Sequence, residues 1–557
     1  MLISEILHKK IEESLSRVLE QLEISIEKPI KFLIEKPKNI DFGDFATSLP
    51  LQLSKRFKMK PLEIANLIKN NLGDIEQISD CTIISPGFIN FSLSKNWLQN
   101  QLLNILSLGN SYGHIVKNSD IQKIQVEFVS VNPTGKLHLG HIRGAVIGST
   151  LANVLESQNN TVTREYYVND AGNQMRNFGK SLIERIKEIN LQNFEITEDL
   201  YKGEDVIEIA KILSKNYSNS NLDQPSEEII TKITLEGMQI CINNIKKDLA
   251  ELNIFHDEWF YESSLLSTQY FEETLLKLAK SNLTYTNDDA LWIKTKDLGD
   301  ERDNVLIKSS DSKPTYFATD IAYHRDKFEK RKFDKVINLW GADHHGHIKR
   351  MEIVLEKLNI DSSKLKIILN QIVSLKNSEG VFKFSKRAGT SIYMKDLIEE
   401  IGSDACRFSF LNRSPESQME IDIDLLKKES SENPVFYVQY AHARLCSIEK
   451  ICSDKDIGIK NVNLELLNSE SEIKLIKKLM EYPELLSKIE ISLNVHELSI
   501  FSLELSQTIQ QFYENCRVLD DKNNLNLTKS RLLLVKASKI TLSNILNLMG
   551  MSAPEKM

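Results

Sequence analysis

The first residues place apolar side chains at Ile3, Ile6, Leu7, Ile11 and Leu15, one stripe of an amphipathic helix. Up to about residue 115 helical and short extended patterns alternate, closed by the turn-rich Leu108-Gly-Asn-Ser-Tyr-Gly113. Then Ile124 to Val131 alternates apolar and polar positions as a strand does, and Asn132-Pro-Thr-Gly-Lys136 interrupts it. From His138 to Ser157 the residues Ile142, Val146, Leu151, Val154 and Leu155 recur at helical spacing, and Thr161–Val168 reads as another strand. Strand, helix and strand in such close succession predict a parallel α/β sheet.

Residues 176–290 are largely helical in pattern, interrupted by the linker-like stretch Tyr217 to Pro225. Strand signals return at Ala290–Ile293, Val305–Ile307 and Lys335–Trp340, which predicts that the sheet resumes there after a helical insertion. Beyond Asp404, Gly and Pro become rare, and amphipathic stretches such as Ser530–Leu548 predict a helical bundle. The expected organisation is an N-terminal unit over 1–115, an α/β unit over 116–403 with the insertion at 176–290, and a helical unit over 404–557.

Length and composition agree with that division. A chain of 557 residues exceeds one hydrophobic core and should split into roughly three or four domains. Its 41% hydrophobic and 27% charged residues are ordinary for a soluble protein, and no apolar run approaches the ~18 residues that cross a bilayer. The opening lacks the basic-then-apolar order of a secretory signal. Six scattered cysteines form no C-x-x-C pair, so neither a disulfide framework nor a structural zinc is expected, and a cytoplasmic location fits. The net charge of −8 speaks weakly against a polyanionic partner. Basic clusters at Lys55–Lys60 and Arg325–Lys332 temper that reading. Clusters of this kind are most often solvated faces; they permit nucleic-acid contact without demonstrating it.

Chemistry concentrates in three strings. His138-Leu-Gly-His141 stands where a strand hands over to a helix, the place where open α/β sheets bind anionic ligands. Gly140 lets a flat base approach the backbone, and two imidazoles three residues apart can both donate to a phosphate. A histidine pair without a role, or half of a metal site, fits the same four residues. Lys383-Phe-Ser-Lys-Arg-Ala-Gly-Thr390 follows the turn Asn377–Gly380 and suits a lid that neutralises a leaving pyrophosphate; alone it equally suits a solvated basic turn. Asp343-His-His-Gly-His347 could ligate zinc, which makes a metal-dependent hydrolase the main rival. The strand-then-glycine context before it and the absence of a Glu-bearing helical metal motif weigh against that rival.

The first two strings together resemble the paired signature of class I aminoacyl-tRNA synthetases. Asn132 to Ala145, Arg164 to Gln174, Tyr316 to Tyr323, Trp340 to His347, Phe436 to Arg444 and Leu548 to Met557 resemble the arginyl branch of that class, in order and along nearly the whole chain. The resemblance implies a Rossmann-type parallel-sheet catalytic domain with a helical insertion. It also implies an α+β N-terminal domain that touches the outer corner of tRNA and an all-α C-terminal anticodon-binding bundle. Arginine would be activated with ATP and Mg²⁺ to arginyl-adenylate, then transferred to the 3′-terminal adenosine of tRNA(Arg), adenylate formation waiting for bound tRNA. A monomer is the simplest expectation.

By the same resemblance, His138, His141, Lys383 and Lys386 stabilise charge on the phosphates. Asn132, Pro133, Lys136, Gly140, Asp343, His347 and Ser385 surround ATP, and Glu127, Asn132, Tyr316, Asp320 and His344 surround arginine. The chemistry agrees, because a planar, permanently charged guanidinium calls for carboxylates placed for forked hydrogen bonds. Asp320 could instead pair with a neighbouring base on its helix. The chain departs from the family at Phe384, where a Met is usual, and at Lys136, where many relatives carry an uncharged residue and a second phosphate contact becomes possible. A non-catalytic RNA-binding relative would not need both histidines, both lysines and the acids. Phe436, Tyr437, Tyr440 and Arg444 suit splayed bases, although aromatics at helical spacing more often form core; the same holds for Phe42 and Phe45.

Overall fold

The computed structural model describes residues 2–25, 29–37, 39–115, 121–217, 222–296, 300, 302–308, 313–377, 380–381, 392–520 and 524–557. The opening stripe forms the helix Ile3–Gln21, which buries Ile3, Leu7, Ile11, Leu15 and Val18. It packs against the helix Pro61–Asn70, which in turn lies on the antiparallel sheet of β1 (Phe45–Thr47), β2 (Ile78–Ile84) and β3 (Phe88–Leu93), in the order β1-β3-β2. The strongly basic run lies outward here, with Lys55, Arg56, Lys58 and Lys60 exposed around a buried Phe57.

The next strands are β4 (Lys123–Glu127), β5 (Thr161–Val168) and β6 (Glu258–Tyr261). Then come β7 (Thr284–Asn287), β8 (Ala290–Ile293), β9 (Asn304–Ile307), β10 (Lys335–Gly341) and β11 (Leu365–Asn370). Finally β12 (Val373–Asn377), β13 (Gly380–Val381) and β14 (Met419–Asp422) complete the strand set among the described residues. A five-stranded parallel sheet has the order β11-β10-β4-β5-β6. The chain starts at the centre with β4, winds out through β5 and β6, and returns to build β10 and β11 on the other side. Strand order therefore reverses between β4 and β10, and the crevice at their carboxyl ends is where such sheets take ligands.

Two expectations need correction. The runs at 290–293 and 305–307 are strands, but they join β7 in a separate antiparallel sheet. Of the three runs only Lys335–Trp340 rejoins the parallel sheet, as β10, while β6, four residues within the stretch read as helical, joins it earlier in the chain. The sequence beyond 404 also carries β14, which pairs in parallel with β12 before the helices Pro434–Asp454, Glu470–Ser492, His496–Asn515 and Leu525–Leu548 form the bundle.

The helix Leu139–Ser157 is buried along most of its length because it lies under everything else. Arg143, with no exposed surface, donates to the carbonyls of Ser414 (2.7 Å), Ser417 (2.7 Å) and Gln371 (3.1 Å). Arg407, equally buried, donates to the Met549 carbonyl, to that of Leu252 (2.6 Å) and to the hydroxyls of Ser149 and Thr150. Gly550 makes this possible: at φ +71° any Cβ would stand 2.3 Å from the Arg407 guanidinium carbon. The C-terminal tail is thereby tied to the histidine-capped helix.

Candidate active site

β4 ends at Glu127, short of the predicted Val131, because the next turn is left-handed. Val129 (φ 70°) and Ser130 (φ 43°) adopt a conformation that costs a β-branched residue of order 1–3 kcal/mol. Neighbours hold it in place. Tyr166 Oη donates to the Val131 carbonyl (2.8 Å), and Ser130 Oγ accepts from the Tyr167 N–H (3.0 Å). The turn swings Asn132–Lys136 across the carboxyl edge of the sheet and leaves a cavity of about 650 Å³.

Glu127, Asn132, Lys136, His138, His141, Tyr316, Asp320, His344 and His347 all line this cavity. Pro133 is buried beside it, and the space next to Gly140 is taken by the His138 ring, which an added Cβ would meet at 3.1 Å. Lys383, Ser385 and Lys386, together with Phe384, lie outside the described residues, as does the side chain of Asp343. The chain beyond that segment returns directly to the histidines. Tyr393 bridges His138, Leu139 N–H donates to the Ile392 carbonyl (2.8 Å), and Met394 N–H donates to that of Leu137 (2.9 Å).

At the helix start, His138 is the N-cap and its Nδ1 accepts from Gly140 N–H (3.2 Å). His141 Nδ1 accepts from His138 N–H (3.2 Å), and the two rings lie tilted at 32° with centroids 3.6 Å apart. Burial lowers the pKa of both, and the neighbouring His138 helps to push His141 down to about 3. Two neutral rings whose Nδ1 atoms are occupied carry their protons on Nε2, available as donors at the positive end of a helix dipole.

The opposite end is acidic. Glu127 is 7% exposed and its Oε2 accepts from Lys327 Nζ at 2.6 Å. Asp320 has no hydrogen bond or ion pair from another side chain among the described residues. Burial, then Glu127 and Glu262, raises its pKa to about 8 against the opposing pull of Lys327. Glu262, which does not line the cavity but acts on Asp320 through its charge, is a third acid that the sequence did not single out. It is 4% exposed, and burial raises its pKa against the opposing pull of the Thr319 and Tyr167 hydroxyls. Tyr167, on the cavity wall, has its hydroxyl buried near Thr319 and Glu262. Tyr316 remains 56% exposed at the mouth. Only its place at the first turn of a helix marked Glu262 in the sequence, so pattern offered no signal.

Other placements sharpen the picture. Asn132 Nδ2 donates to Gln174 Oε1 (2.7 Å). Lys136 Nζ is 2.6 Å from Glu208 on the helix Glu204–Ser214, a half-exposed pair of small energetic weight. The His344 and His347 rings are 5.7 Å apart. Among the described residues no group of three or more His, Cys, Asp or Glu side chains is placed to hold a metal ion. Phe436 stacks on Tyr440 at 5.8 Å, and Arg444 lies over the Tyr440 and Tyr513 rings, a partly exposed cluster rather than core.

A model of the class I (R) tRNA-synthetase catalytic domain matches residues 101–421, more than half of the chain. The chain belongs to the arginyl class I tRNA synthetases. Models of the arginyl-tRNA synthetase N-terminal domain and the DALR anticodon-binding domain match 5–93 and 438–557 of this family member. Relatives named arginine–tRNA ligase are 41% identical in Dehalococcoides mccartyi, over 98% of each chain, and 41% identical in Carboxydothermus hydrogenoformans, over 96% of each. The fold matches that of Thermus thermophilus arginyl-tRNA synthetase (TM-score 0.78, 19% identity, all of both chains). It also matches the Plasmodium falciparum enzyme (TM-score 0.76, 20% identity, 100% of this chain and 99% of that one).

Proposed function

We propose that this chain is an arginine–tRNA ligase. The observation that carries the reading is one cavity with buried carboxylates at one end and imidazole N–H donors at a helix start at the other. Glu127, Tyr316, Asp320 and His344 receive arginine, with Asn132 at its α-amino end. An arginine carboxylate oxygen attacks the α-phosphorus of ATP; the new P–O bond forms as the bond to pyrophosphate breaks. His138 and His141 donate from Nε2 to the charge that develops, joined by Lys383 and Lys386, and Mg²⁺ accompanies ATP as its counter-ion. Pro133, Lys136, Gly140, Asp343, His347 and Ser385 complete the nucleotide site. The 2′-hydroxyl of the terminal adenosine of tRNA(Arg) then attacks the arginyl carbonyl, and AMP leaves. No side chain serves as nucleophile; positioning and electrostatics supply the rate.

Residues 1–115 contact the outer part of tRNA, 116–403 carry catalysis and 404–557 read the anticodon, in a monomeric cytoplasmic enzyme. No helix among the described residues is long and apolar enough to cross a membrane. An aminoacylation panel with several amino acids and total tRNA tests the reading: arginine alone is expected to charge. Charging with lysine and not arginine would overturn the specificity, and absence of charging with any amino acid would overturn the activity. ATP–pyrophosphate exchange should require tRNA(Arg); equal rates without it would remove that feature.

A further inference from the structure

The basic cluster Arg325–Lys332 is not a solvated face, contrary to its reading in the sequence. Arg325 is 5% exposed and Lys327 has no exposed surface, while Lys330 and Lys332 point outward. The helix Tyr316–Arg325 runs into a π-helical turn, Asp326–Lys330, closed by Arg331 N–H donating to the Asp326 carbonyl (2.9 Å). Such turns are uncommon and recur at functional sites.

What the turn achieves is visible on the sheet. Glu127 on β4 and Glu165 on β5 are register partners on adjacent parallel strands, so their carboxylates project from the same face. Both are buried. Lys327 is set against Glu127 and Arg331 against Glu165, so each buried acid has a cation. Only Glu127 borders the cavity. Its Oε2 is committed to Lys327, and its Oε1 has no hydrogen bond among the described residues.

The orientation of Lys327 is over-determined. Nζ also donates to Asn338 Oδ1 (3.0 Å) and lies 4.1 Å from the centre of the Tyr323 ring. Asn338 Nδ2 donates to His324 Nε2 (2.8 Å), and His324 Nδ1 donates to the Asp320 carbonyl (2.8 Å). Every member of this chain is satisfied in one arrangement only, and burial with nearby Lys327 holds His324 neutral, its pKa down at about 3. The network thus links the backbone of Asp320 to the side chain of Glu127.

We propose that Lys327 is a positioning residue for amino-acid recognition: it anchors one oxygen of Glu127 and turns the other toward the cationic end of the substrate. This rests on the arginine–tRNA ligase reading. Lys327 does not touch the substrate, since it has no exposed surface and does not border the cavity.

The test uses the full chain with saturating tRNA(Arg), comparing Lys327→Met, Lys327→Gln, Arg331→Met, Glu127→Gln and the double variant Lys327→Met/Glu127→Gln. Both Lys327 variants are expected to raise KM for arginine about tenfold or more while KM for ATP stays within about twofold. The double variant should be no worse than Glu127→Gln alone, the non-additivity expected of one acting through the other. Arg331→Met should lower the melting temperature and leave KM for arginine within about twofold. Without the Lys327 charge, the pH dependence of arginine binding should move to higher pH, because Lys327 lowers the Asp320 pKa. If Lys327→Met fails to fold, Lys327→Gln, which keeps a donor, is judged by the same criteria. An unchanged KM for arginine, an equal rise in both KM values, or an equal effect of Arg331→Met would overturn the assignment. A wild-type chain that charges no arginine would overturn the functional reading instead.

Discussion

The acidic end of the cavity and its imidazole end treat charge in opposite ways. At the acidic end, Glu127 and Asp320 line the cavity, the buried Glu262 acts on Asp320 through its charge, and the buried ammonium of Lys327 anchors Glu127 in a side-chain network with one arrangement. At the other end, His138 and His141 are uncharged and held by backbone N–H groups at a helix start. On the proposed assignment of ligands, the difference follows from their chemistry. A guanidinium keeps its charge throughout, so a carboxyl group that ionises only beside a cation stabilises arginine and gains nothing from neutral competitors. Phosphate charge redistributes during displacement, so neutral donors with fixed tautomers help at the transition state without trapping the ground state.

Substitutions at the two ends should therefore separate kinetically. Asp320→Asn is expected to cut kcat/KM for arginine by roughly 10³-fold, mainly through KM, with KM for ATP within about threefold. Steady-state aminoacylation checks this, and a loss confined to kcat would erase the distinction between the ends. His141→Ala should lower kcat by about 10²-fold and spare KM for arginine. A large rise in KM for arginine there would show that the two ends act as one unit.

The next effect is a pH dependence. With its pKa near 8, raised by burial, Glu127 and Glu262 and opposed by Lys327, Asp320 is mostly protonated in the free site at pH 7. Binding a guanidinium favours the carboxylate and releases that proton, so affinity should rise about twentyfold between pH 6.5 and pH 8.5 and level off above about pH 9. Calorimetry in two buffers of different ionisation enthalpy would detect the proton; no net release at pH 7 would contradict the assignment. The smallest change is expected from Glu262→Gln, which keeps the shape of the pocket and should raise KM for arginine only several-fold to about tenfold.

Much of this architecture was legible where pattern is long and local. The strand Thr161–Val168 and the helix that ends at Ser157 lie where the local spacing of apolar residues puts them, and packing then buries that helix well beyond the predicted stripe. Short strands gave no such information. Four residues at 290–293 reveal a strand but not which sheet it joins, and β6 hides between helices. The left-handed Val129–Ser130 turn contradicts local preference and exists only because Tyr166 and Tyr167 hold it. The cavity gathers most of the residues named from the sequence. Glu262 and Lys327 escaped because nothing in their neighbours distinguishes a buried charge from a solvated one; only the π turn and the sheet register reveal their partners.

Citrulline has nearly the shape of arginine with an uncharged ureido group in place of the guanidinium. Comparing kcat/KM for the two as substrates at pH 8 asks directly whether the buried carboxylates select for charge. A preference for arginine of about 10⁴-fold or more is expected. A ratio within about tenfold would mean that the acidic end recognises shape alone, and the account would fail.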